Sequence, residues 1–179
     1  AGGRSHEFET QIEILRLELD AISTEEILWT VVTEPPSEPE NEPVLFQSPA
    51  SADGYDLVIH LHNFPNVEEP SLVERVLHPH RKGTPAVVLH ASLESFRASG
   101  SEWQEFCGTD STFETSLSQL SIEGGHTDSW IISDETTWQL EGEEFFPAAG
   151  VSPRSTILLS TEREGKSYPV AWTKTYGPS

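Results

Sequence analysis

Seven histidines are spread along the 179-residue chain, and three of them stand where an apolar run gives way to polar residues. His6 comes after Gly2 and Gly3, His62 and Asn63 close the run that starts at Asp56, and His90, with Ser92 just beyond, closes the run that starts at Pro85. Open parallel α/β sheets bind ligands in the crevice beyond the carboxyl ends of their strands. Polar groups at successive strand ends therefore converge on one ligand if the strands are neighbours. In such a crevice His6 and His90 are candidate acid/base groups, because imidazole titrates near neutrality. Asn63, His62 and Ser92 are candidate substrate-binding groups. The bland alternative for each histidine is a half-buried, hydrogen-bonded side chain.

Other chemistry is thinner. Zinc needs three or four ligands in tetrahedral array, which His6, His90 and either His126 or a carboxylate could supply. No His-x-x-x-His spacing supports this, so the metal stays unassigned and a divalent ion is left open. Asp134 and Glu135 could work as paired carboxylates with separated pKa values, or form a solvated turn of an acidic chain. Trp103, Trp130, Trp138 and Trp172 offer flat faces that can stack on sugar rings, with core or rim packing the favoured account of each. Cys107 is the single cysteine and no Gly-x-Ser-x-Gly elbow occurs, so nucleophilic catalysis has little support.

The elements that must hold these groups follow from periodicity. Phe8, Ile12, Leu15 and Leu19 fall on one face of a helix over residues 7–22, with Ser5 as a candidate N-cap. Ile27 to Val32 reads as a strand. The segment 34–43 carries four prolines and four glutamates, an acidic loop. Asp56 to Leu61 predicts a parallel strand covered on both faces, Ser71 to His78 a helix entered through Pro70 and stopped by Gly83, and Pro85 to Leu89 a second parallel strand. That order is a βαβ unit. His60 and His62, two apart on a strand, share a face. Further on, a short helix is predicted over 103–106, and strands over 117–122 and 130–133. The runs 156–160 and 169–172 read as a pair joined by the charged turn 162–166. The whole reads as one domain over residues 1–179, with both ends trimmed.

Composition limits the partners. Ten Lys and Arg against 30 Asp and Glu give a formal charge of −20, which repels a phosphate backbone or an anionic bilayer. Nucleic acid and membrane are therefore not expected partners. No apolar run is long enough to span a bilayer and no signal-peptide pattern opens the chain. The compartment, cytoplasmic or exported, stays open, as does a homo-oligomer.

Several segments together resemble the ThuA-like (trehalose utilisation) family of the class I glutamine amidotransferase-like superfamily. Gly2, Gly3 with His6, Glu7 resembles its Gly-Gly-x-x-His-Asp/Glu loop. Gly54 to Asn63 resembles its second strand, and Val87, Val88, Leu89, His90, Ala91 its strand and histidine. Trp103, Phe106 and Gly108 resemble its Trp-x-x-Phe-x-Gly stretch, Asp134, Glu135 its Asp-Glu turn, and Pro169 to Thr173 its Pro-Val-Ala-Trp-Thr segment. The chain departs from the pattern at Phe113, Glu114 and Thr115, where the family has a histidine, and at His126, Thr127, where it has His-Pro.

The resemblance implies a flavodoxin-like three-layer sandwich with a mostly parallel sheet, here lacking its first and last strands. It implies a carbohydrate substrate, a keto-sugar or trehalose-like disaccharide, altered by hydrolysis or isomerisation, and no glutamine amidotransferase activity. The expected site comprises His90, His6, Asp134 and Glu135 as catalytic groups, with Asn63, His62, Ser92, Trp103 and His126 against substrate. A non-catalytic carbohydrate-binding or scaffolding domain of a larger protein is the alternative.

Overall fold

The computed structural model describes residues 2–3, 7–33, 46, 52–109, 117–124, 137–145 and 148–177. They form a mixed helix and strand protein that divides into two compact units, Ala1–Trp103 and Gln104–Ser179.

In the first unit, strand β1 (Gly2–Gly3) is followed by helix α1 (Phe8–Ile22). The predicted helix is present, but Glu7 precedes it without a side-chain cap, and Ser5 lies outside the described residues. Of the predicted apolar stripe only Phe8 is buried; Ile12, Leu15 and Leu19 are half-buried, and Leu17 is 64% exposed. The strand expected over Ile27 to Val32 does not form. Trp29 instead ties this segment to α1, donating from Nε1 to the Asp20 carboxylate at 2.8 Å and lying under the Arg16 guanidinium. Side chain-to-helix contacts thus replace the ladder that β-branched residues alone cannot supply.

The βαβ unit forms as expected. Strands β2 (Val58–His60) and β3 (His62–Asn63) are interrupted only at Leu61. Helix α2 (Pro70–Arg81) starts with Pro70 in its first turn, where a missing N–H costs nothing, and the Glu69 carboxylate accepts from Ser71 N. It buries Leu72, Val73, Val76, Leu77, Pro79 and His80. Gly83, at φ 108°, turns the chain into β4 (Ala86–Val88). β4 pairs parallel with β2, His60 opposite Val88, and β1 pairs parallel with β3, Gly3 opposite Asn63. Beyond β4 come two 3-10 turns, His90–Glu94 and Arg97–Ser99.

Helix α3 (Glu102–Cys107) crosses from the first unit into the second. The second unit is a four-stranded antiparallel sheet in the order β6-β5-β7-β8, from β5 (Leu117–Gly124), β6 (Thr137–Phe145), β7 (Thr156–Arg163) and β8 (Lys166–Thr173). The mostly parallel sheet expected for the whole chain is therefore not what the described strands build: only the short pairs of the first unit are parallel. The reason is local for β7 and β8. Glu164 and Gly165, at φ 54° and 76°, close a two-residue hairpin, which forces antiparallel pairing, whereas a parallel neighbour needs a crossover of about a dozen residues or more. β6 had no counterpart among the predicted strands, and the predicted strand over 130–133 lies outside the described residues.

Candidate functional site

The two parallel pairings bring the expected strand ends together. Asn63 ends β3 beside Gly3 of β1, and the His90–Glu94 turn that follows β4 packs against β3. Asn63 is half-buried, and its side-chain carbonyl Oδ1 is sealed from solvent without a hydrogen-bond partner. A buried acceptor left unmatched costs roughly 1–3 kcal/mol. His90 is exposed and takes φ 52°, a left-handed conformation that is uncommon outside glycine, although Asn, Asp and His adopt it more than other residues. Backbone strain of this kind collects at functional sites. His6, His126, Asp134 and Glu135 lie outside the described residues.

His62, Ser92 and Trp103 are placed differently. All three are in the interior, at 1%, 0% and 0% exposure, so in this conformation they stand behind the strand ends. The Ser92 hydroxyl accepts from His62 N at 2.7 Å and donates to the His60 carbonyl at 3.0 Å. It thereby continues the ladder at the point where β4 has turned away, and it pins the turn that carries His90. The Ser92 carbonyl accepts from Trp103 Nε1 at 2.8 Å. Trp103 lies edge-on to His60 and tilted against His62. Phe46, Phe64 and Phe96 complete an aromatic wall around His62.

His60 and His80 are both buried and bonded to each other. His60 Nε2 meets His80 Nε2 at 2.9 Å, and His60 Nδ1 meets His62 Nε2 at 3.2 Å. At the ends, His62 Nδ1 meets Ser95 Oγ at 2.8 Å and His80 Nδ1 meets the Thr84 carbonyl at 2.7 Å. Burial holds all three imidazoles below the ordinary 6.5. His62 falls to about 3, and His60 is lowered further by the neighbouring His62 and His80, whereas the Thr84 carbonyl partly offsets the effect on His80. The shared face of His60 and His62 was visible in their spacing; the arrival of His80 from α2 was not.

Among the described residues no group of three or more His, Cys, Asp or Glu side chains has a geometry that could hold a metal ion. The three buried imidazoles spend their nitrogens on one another and on Thr84 and Ser95 rather than converging on a point. Cys107 is buried, and desolvation pushes its thiol well up, so it is held protonated and is not a nucleophile. Its carbonyl accepts from Trp172 Nε1 at 2.7 Å, which places Trp172, half-buried, in the packing of the second unit. No helix among the described residues is long and apolar enough to cross a membrane. No family model, curated protein or solved structure matches the chain.

Proposed function

We propose that the chain is a carbohydrate-metabolism domain of ThuA-like type, with a flavodoxin-like parallel arrangement at its core, that acts on a keto-sugar or trehalose-like disaccharide. The reaction is hydrolysis or isomerisation, with His90 and His6 as acid/base groups, aided by Asp134 and Glu135. Asn63 orients substrate hydroxyls, and His126 contributes a further contact. The observation that carries this reading is the parallel pairing of β1 with β3, and the packing of the His90 turn on β3. It gathers the strand ends on which the family resemblance places the site. The buried, partnerless oxygen of Asn63 and the left-handed backbone of His90 support it. Ser92, His62 and Trp103 serve as positioning residues from behind, holding the turn and the strand end in register.

The test is turnover of a 3-keto-disaccharide by the full chain, with and without added zinc or manganese. His90→Ala is expected to lower conversion by roughly 10²–10⁴-fold, the usual contribution of a general acid or base, while leaving sugar binding in place. Binding without turnover by the wild-type protein would favour the carbohydrate-binding alternative. Neither binding nor turnover ends the carbohydrate reading.

A further inference from the structure

The buried imidazoles have an assigned order of protons. A carbonyl only accepts, so the Thr84 contact places the His80 proton on Nδ1. His80 Nε2 is then an acceptor, and His60 must donate to it from its own Nε2. That leaves His60 Nδ1 to accept from His62 Nε2, and His62 Nδ1 to accept from the Ser95 hydroxyl. One proton fills each link from Ser95 through His62, His60 and His80 to Thr84. Every donor meets an acceptor only while all three rings are neutral.

An added proton has no good position. On His80 Nε2 or His60 Nδ1 it sets N–H against N–H across a contact of 2.9 or 3.2 Å. On His62 Nδ1 the Ser95 hydroxyl can turn to the His62 carbonyl, 3.3 Å away, but the charge stays sealed among Phe46, Phe64, Phe96 and Trp103. Among the described residues, the basic side chains of the packed elements make hydrogen bonds and ion pairs away from the three rings. On α2, Arg75 reaches the Phe46 carbonyl and Ser71, and Arg81 pairs with Glu102 of α3. Lys82 pairs with Asp53, and on the turns Glu94 pairs with Arg97. His78 lies half-buried on α2. The relay itself receives Ser95 from the turns, Thr84 from the loop after α2, and Trp103 as its cover.

We infer that the Ser95–His62–His60–His80–Thr84 relay is an acid-released lock: proton uptake by its three imidazoles frees α2 and the 90–99 turns from β2 and β3 and opens the first unit. The sign follows from linkage. Each ring is held below its ordinary 6.5, so the opened state binds more protons once pH falls under that value. The stabilisation is complete above about pH 6.5 and drains away toward the folded-state values, about 3 for His62. His62 alone shifts the equilibrium about tenfold at pH 5.5 and about a hundredfold at pH 4.5, and His60 and His80 act in the same direction. Against folding constants of about 10³–10⁸ for small domains, even the His62 contribution is a sizeable share. The acidic surface acts in the opposite sense, because approach to the pI near 4.5 relieves self-repulsion.

Denaturant midpoints of the full chain between pH 8 and 4, followed by circular dichroism, test this. Stability is expected to be flat above pH 7 and then to fall with a slope of more than one and at most three protons. His80→Gln, which can still donate and accept, is expected to remove about one proton from the slope. Should that variant not fold, imidazole ¹⁵N spectra of the wild-type protein at pH 7 decide. Nδ1–H on His80 and Nε2–H on both His60 and His62 support the lock, and any other tautomer pattern overturns it. Stability that is constant or rises from pH 7 to 5, or a relay imidazole doubly protonated in a chain still folded, also overturns it.

Discussion

Helices α1 and α2 carry similar apolar periodicity and meet different fates. α2 buries six of its twelve residues, whereas α1, with fifteen, buries Phe8 alone. The difference lies outside the helices. α2 is held between two strands that pair with each other, and it sends His80 into a network that strand β2 completes. α1 has Trp29 and the loop after it as its companion, a segment that forms no ladder and leaves Leu28 84% exposed. Amphipathic spacing says which face of a helix can be buried; a paired sheet decides whether it is.

The comparison can be broken at three points. Leu77, fully buried on α2, should be the costliest: Leu77→Ala is expected to lose about 2–5 kcal/mol in urea denaturation, through lost burial and the cavity left behind. A loss under about 1 kcal/mol would mean that α2 is no better anchored than α1. Phe8→Ala should act locally. With its one buried anchor gone, α1 is a fifteen-residue helix of marginal stability in water, so its amides should lose roughly tenfold or more of their exchange protection while those of α2 keep theirs. Equal loss in both helices would show that they unfold as one. Leu17→Ala, at an exposed position, should shift stability by no more than about 0.5 kcal/mol, and a larger effect would reveal a covered face.

What could be read from the sequence follows the same division. The helices over 8–22 and 70–81, the parallel strands around Ile59 and Val87, and the hairpin at Glu164 and Gly165 were legible, because periodicity, Pro70, Gly83 and the charged turn are local signals. The strand expected at Ile27 to Val32 failed because pairing is a property of two segments, and β propensity reports on one. Of the candidate site, Asn63 and His90 stand at strand ends as their position after apolar runs required. The inward turn of Ser92 was not legible, whereas core packing was already the favoured account of Trp103. A serine near a histidine looks the same whether it faces a ligand or braces a turn, and only the bonds to His62 N and the His60 carbonyl separate the two.

The hydroxyl of Ser92 has one more consequence. By occupying His62 N it fills the ladder position that the chain after β4 leaves open, while it shares the His60 carbonyl with Leu89 N. Unfilled, that N–H would be an unpaired ladder donor of the kind to which the backbone of another chain can add. A single side chain thus closes the sheet margin against strand addition from outside, where other folds use a bulge, a lysine or a proline. Among the described residues the parallel strands are only two or three residues long, so one filled donor is a sizeable part of the ladder that such a pair can offer.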